Sequence, residues 1–262
     1  MFPAELFELL RRAMGSVPPE FWLYLVVGFA AQLVDGALGM AYGVTASSLL
    51  VALGTPPAIA SATVHAAECF TTGASAVSHR AFGNVDGHLF RRLVPAAILG
   101  AVLGAIAAAS LPNTWLRPYV AAYLLVMGAI IIGKAFRPIP PPRVVERVGA
   151  LGFIGAFLDA IGGGGWGPIV ASSLIWRGKE ARLAIGTVNA AEFFVTLATT
   201  LAFLAALGSA NAYAVVGLAL GGIPAAPLGA WLTRRLPVRL LLVLVGALIV
   251  ALSAHTLVRS LM

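Results

Sequence analysis

Four carboxylates stand where water is scarce. Asp35, Glu68, Asp159 and Glu192 each lie inside a long apolar stretch of a chain that has only 10 acidic residues. An ionisable group at such a depth is expensive, and it faces a protein interior or a water-filled path rather than lipid. The two aspartates open glycine-rich runs, 35-DGALGMAYG-43 and 159-DAIGGGGWGP-168. A helix that restarts after a break has amide N–H groups with no carbonyl partner, and glycine lets an anion approach that backbone closely. Gly39, Tyr42 and Gly43 in the first run, and Gly163, Gly164, Gly165, Trp166 and Gly167 in the second, are therefore candidates to bind a small oxyanion. Pro168 suits a first helical turn, where its missing N–H costs nothing. Asp35 and Asp159 have a structural role open to them as well. Each could accept hydrogen bonds from the restarting helix and hold the break together.

The two glutamates lie in matching segments, 63-TVHAAECFTT-72 and 187-TVNAAEFFVT-196. Proton coupling and a neutral, hydrogen-bonded packing role are both open to Glu68 and Glu192. The pairs His65/Glu68 and Asn189/Glu192 are three residues apart and so share a helix face. That spacing makes His65 a candidate to pass protons to Glu68, with Asn189, Thr63 and Thr187 as further polar groups near the substrate. Ser47, Ser48, Ser172 and Ser173 follow the glycine runs by about a turn, as extra donors or back-bonded to their own helix. Cys69 is expected to be inert packing. His79 and His88 fall in a charged loop and call for no special role.

These groups recur at a fixed spacing. Subtracting 124 maps Asp159 onto Asp35, Gly163 onto Gly39, Trp166 onto Tyr42, Gly167 onto Gly43 and Glu192 onto Glu68. In the TVxAAExF segments seven of ten positions are identical. Composition alone can repeat small apolar residues, but not aspartate and glutamate in register, so the chain is an internal duplication.

The elements that must position these residues are membrane helices. Of 262 residues 60% are hydrophobic and 10% charged, and the mean hydropathy is +0.95. A soluble domain carries about 25% charged residues. Hydropathy divides the chain into eight apolar stretches, at 20–53, 57–79, 93–110, 116–133, 148–176, 183–207, 212–233 and 239–258. The net charge of +7 comes from 17 Lys and Arg clustered between those stretches, which is a topology signal and not a nucleic-acid patch. The loop at 80–92 carries three basic residues, that at 134–147 four and that at 177–182 three, whereas 53–57 and 207–212 carry none. Equivalent loops thus fall on opposite faces under the positive-inside rule, which gives inverted halves. The fifth stretch then begins and ends in the cytoplasm, as a pair of half-helices meeting at the glycine tip, and the first mirrors it.

The expected fold is an all-α integral membrane protein of two inverted-topology repeats, each a broken or re-entrant helix hairpin followed by about three transmembrane helices. Its parts are an interfacial amphipathic segment at 1–19, a first repeat at 20–133, a basic Pro-rich cytoplasmic linker at 134–147 and a second repeat at 148–262. One cysteine excludes an internal disulfide. No GxxxxGK[ST], HExxH or other metal-ligand spacing is present, so no cofactor and no metal are expected.

The aspartate-led tips, the TVxAAExF pair and the two-half layout resemble the TauE/SafE sulfite exporter family, also called the toluene sulfonate uptake permeases. GGGGWGP at 162–168 is the most specific part. The first tip departs from it, with Leu38, Met40 and Ala41 where the second has glycines. The resemblance implies a multi-pass carrier in the bacterial inner membrane, moving sulfite, sulfonates, thiosulfate or related sulfur anions without ATP. Direction and substrate stay open, as does the choice between a monomer and a homodimer. The expected function is a secondary transporter, an exporter in the first instance, with a small sulfur-containing anion and the bilayer as its partners and a proton as the coupling ion. The rivals are an anion channel, an uptake permease for thiosulfate or another organic anion, a cation carrier using the four acids, and a membrane enzyme. An anion beside four ionised carboxylates would be repelled, so some of them are protonated or set back when it binds.

Overall fold

The computed structural model describes residues 18–136, 147–208, 210–232 and 238–262. Most of the interfacial segment and of the Pro-rich linker lies outside these residues. Among them there are ten helices: α1 (Pro19–Leu38), α2 (Tyr42–Ala52), α3 (Pro57–Ala81), α4 (Gly87–Ser110), α5 (Asn113–Lys134), α6 (Val148–Gly162), α7 (Gly167–Trp176), α8 (Ala181–Leu207), α9 (Ala212–Leu232) and α10 (Val238–Leu261). Six of these, α1, α4, α5, α8, α9 and α10, are long and apolar enough to cross a membrane.

The sequence sets the helix boundaries locally. Pro19 and Pro57 open α1 and α3, where proline loses no hydrogen bond. Gly39 and Gly163 close α1 and α6 in the left-handed region, at φ 67° and 69°, a conformation that glycine adopts without strain. The amide of each reaches back to the aspartate carbonyl four residues earlier, at 2.6 Å from Asp35 and 2.7 Å from Asp159. The two breaks that the sequence repeat anticipates thus have the same cap. After the second, α7 starts with a π-helical turn over Gly167–Ala171, a distortion that marks functional sites in many helices.

Helix directions follow from the side-by-side contacts. A Cβ on Gly217 would meet Phe21 and one on Gly229 would meet Gly36, so α1 and α9 run parallel. Asn211 bonds Thr63, and Gly222 packs on Thr71, so α3 is parallel to α9 as well. Since α1 and α3 point the same way, α2 must carry the chain back, and α1–α2 is a hairpin. In the second half Gly149 faces Arg92 and Gly104 faces Phe157, which makes α6 parallel to α4. The Asp86–Thr187 bond and the Phe90–Phe194 ring contact make α8 parallel to α4, and α7 returns in the same manner. The first arm differs from the expected half-helix. At 20 residues α1 is about 30 Å long, enough to cross the hydrocarbon core by itself. Hydropathy cannot show this, because the apolar run continues unbroken past Gly39.

The hairpins are held by glycine contacts. A Cβ on Gly28 would stand 2.8 Å from Leu218 Cα, and one on Gly36 3.2 Å from Gly229 Cα, so the backbones approach as closely as small residues allow. Polar helix α3 lies in the middle, with Ser61, Thr63, His65, Glu68, Thr71, Thr72, Ser75 and His79 all buried. It crosses its repeat counterpart α8 in the opposite direction, as Cys69–Thr200, Thr72–Thr196 and Ser75–Asn189 show. Thr72 and Thr196 are 124 positions apart and face each other with their hydroxyls at 3.4 Å.

One loop joins the two halves by charge. Asp86 accepts from the amides of His88 at 2.9 Å and Leu89 at 3.1 Å to cap α4, and from Lys179 Nζ at 2.5 Å. The Lys179 ammonium, then the helix amides, hold its carboxyl below the usual carboxylate range. Because the folded value is depressed, this stabilisation is present above the unfolded pKa and is lost as pH falls through the folded one. Asp86→Ala is expected to cost about 1 kcal/mol at neutral pH, a cap plus a partly screened ion pair. The difference in melting temperature from the parent should shrink as the buffer is taken below about pH 4.

Candidate functional site

The two tips meet in the middle of the bundle. A Cβ on Gly43 would stand 3.0 Å from Gly164 Cα and 3.1 Å from the Gly163 carbonyl, and one on Gly164 would lie 2.6 Å from Val44 Cα. Gly167 packs in the equivalent way on Gly39 and Met40. Glycine is needed at these positions because backbone lies on backbone, across a contact between repeats that the spacing of the motifs does not reveal.

Each aspartate bridges its own break. Asp35 Oδ1 accepts from the Tyr42 amide at 3.4 Å, and Asp159 Oδ1 from the Trp166 amide at 3.2 Å. Both aromatic rings are buried and fastened at the far end. The Tyr42 hydroxyl donates to the Leu218 carbonyl at 3.2 Å, and Trp166 Nε1 to the Val188 carbonyl at 3.1 Å. Ser47 donates to the Gly163 carbonyl, and Ser61 to that of Ala160 at 2.6 Å, so the first half grips the tip of the second. Between the tips is a cavity of about 10 Å³, lined by Asp35, Asp159, Glu192, Gly43, Val44 and the backbone from Gly164 to Pro168. That is room for about one water molecule. The tips are closed together in this state, and a larger guest requires them to part.

Several expected groups have other partners. His65 does not face Glu68: its Nε2 lies 3.1 Å from Asp159 Oδ2, in the other repeat, and its Nδ1 2.8 Å from the Ser61 carbonyl. Glu68 instead reaches the first tip, 3.1 Å from where a Cβ on Gly43 would be. Thr63 and Thr187 bond loop amides. They accept from the amides of Asn211 at 3.0 Å and Asp86 at 2.8 Å, anchoring the loops before α9 and α4. Asn189 accepts from Ser75 of α3 at 2.7 Å and donates to the Ile185 carbonyl of its own helix. His79 is buried in α3, with Nε2 at 2.9 Å from the Gly36 carbonyl and Nδ1 at 3.2 Å from Asn84. His88 is exposed in the first turn of α4 and not in a loop, and its amide is one of the two that Asp86 caps. Ser172 is back-bonded to the Pro168 carbonyl and takes a bond from Lys134, which also donates to Pro168 at 2.8 Å. Sequence reasoning passed over Gln32, Lys134 and Tyr123, the last packed on Gly162 and Gly165 of the second tip. Gln32 alone carried a signal, a polar amide one turn before Asp35 within an apolar run.

A helical bundle with carboxylates at its centre and two broken hairpins meeting between its halves is the architecture of a membrane transporter. Residues 24–256 match the family described as sulfite exporter TauE/SafE. The chain belongs to that family and is a multi-pass membrane protein. It is also 42% identical over 248 residues, 91% of this chain and 83% of the relative, to the probable membrane transporter protein YtnM of Bacillus subtilis (strain 168). No solved structure gives a significant match.

Proposed function

We propose that the chain is a secondary carrier that moves sulfite, a sulfonate or a related small sulfur-containing anion across the inner membrane, in the direction of export, coupled to protons. The observation that carries this reading is the meeting of two glycine tips at one cavity. First-turn amides of α2 and α7 adjoin that cavity, and helix N-termini there favour negative charge. Two hairpins broken by the same aspartate and glycine caps, and the antiparallel crossing of α3 with α8 at Thr72 and Thr196, support inverted halves that rock about a central site. Glu68 beside Gly43 and Glu192 on the cavity wall support the proton-coupling part of this reading. The closed cavity favours alternating access over a standing pore.

The test is uptake of labelled sulfite into proteoliposomes. Saturable flux with counterflow, accelerated by an imposed proton gradient and reduced at least about tenfold in Glu68→Gln or Glu192→Gln, is the expected result. Flux that ignores the gradient would remove the coupling and leave the anion site. Unsaturated conductance would replace the carrier with a channel.

A further inference from the structure

The two repeats are not chemically equal around their aspartates. In the second, His65 covers Asp159 Oδ2, and the residues at the next equivalent positions are Ala156 and Val195. In the first, those positions hold Gln32 and Thr71, and Asp35 Oδ2 has no hydrogen-bond partner. Neither do both amide atoms of Gln32, although Gln32 is fully buried and Asp35 is 2% exposed; the buried Thr71 hydroxyl stands beside that of Tyr42. Gln32 and Asp35 are three residues apart on α1, on one face. Gln32 and Thr71 converge on α9, where a Cβ on Gly222 would stand 3.4 Å from Gln32 Cβ and 3.3 Å from Thr71 Cβ.

We propose that Asp35, Gln32 and Thr71 form a binding site for a sodium ion. A buried carboxylate with no positive neighbour must be neutralised. A carboxylate, an amide oxygen and a hydroxyl are hard oxygen donors of the kind that a small alkali cation takes up. The titratable neighbours are Glu68 and Tyr42 on the same side and Asp159 and Glu192 around the cavity, none of which brings a fixed positive charge. The ion would also lower the repulsion that the four carboxylates present to an anion at the tips. To that extent the site rests on the transport reading and supplies a second coupling cation.

The experiment is thermal unfolding of the purified protein in NaCl, KCl or choline chloride at equal ionic strength. Sodium is expected to raise the melting temperature by on the order of 3 °C over choline, with potassium near choline. Thr71→Val and Gln32→Ala copy the residues already tolerated in the second repeat, so they should keep the choline melting temperature and lose the sodium effect. Equal melting in NaCl and choline, equal melting in NaCl and KCl, or an undiminished sodium effect in both variants would overturn the site. A sulfite titration in choline separates the two readings. Sulfite stabilisation with no sodium effect leaves the anion site and removes this one, whereas a sodium effect lost in the variants, with no response to sulfite, supports this site and removes the transported anion.

Discussion

Gly164→Ala is expected to abolish transport. The added Cβ would lie 2.5 Å from the Gly43 carbonyl carbon and 2.6 Å from Val44 Cα, and backbone atoms cannot swing aside as a flexible side chain can. Overpacking of this kind costs about 1–3 kcal/mol where neighbours can adjust, and more where they cannot. The tips would separate by the better part of an ångström, and a displacement of that size at a site of close fit costs about 100-fold in rate. The control is Gly133→Ala near the end of α5, where an added Cβ meets nothing within 4 Å. There the substitution should be neutral or slightly stabilising, since alanine is the better helix former. Sulfite flux in proteoliposomes, normalised to folded protein by size-exclusion chromatography, distinguishes the pair. Comparable activity of Gly164→Ala and the parent would show that the tips need not touch.

His65→Ala is expected to destabilise the bundle by about 3 kcal/mol, because it strips Asp159 Oδ2 of its partner in a fully buried setting. Adding Asp159→Asn should return much of that loss, since a buried amide oxygen without a partner costs less than a buried carboxyl oxygen without one. The coupling energy of the double-mutant cycle, read from thermal or denaturant unfolding, should be on the order of 1–3 kcal/mol. Additive effects would mean that the 3.1 Å contact carries no energy. Asn189 is the repeat equivalent of His65 but binds Ser75, so Asn189→Ala should show no comparable coupling to Asp35.

The comparison of these two positions shows what a sequence can and cannot yield here. The offset of 124 exposes the duplication, the paired acids and both glycine tips, because each is a local pattern written twice. Asp35 and Asp159 cap the restarting helices through atoms seven residues apart, a distance within which the chain states its own geometry. The partners of His65, Asn189, Thr63 and Thr187 come from other helices. A shared helix face suggested Glu68 as the neighbour of His65, yet the packing of α3 against the second tip turns the ring to Asp159 instead. His79 looked like a loop residue because Arg80 follows it, but α3 runs on to Ala81 and buries the ring under Gly36. The length of α1 was hidden by an apolar run that does not pause at Gly39. Gln32 escaped notice because it has no counterpart in the second half, and a search for repeated chemistry passes over what only one repeat carries.

The central claim, that a sulfur oxyanion binds between the glycine tips, is tested most directly by an electron cryomicroscopy structure of the protein saturated with sulfite. Density for the anion within hydrogen-bonding distance of the first-turn amides at Gly43 and Gly167, with the tips drawn apart from their present contact, is the predicted result. Tips still closed on a water-sized cavity, with sulfite bound elsewhere on the protein, would contradict it.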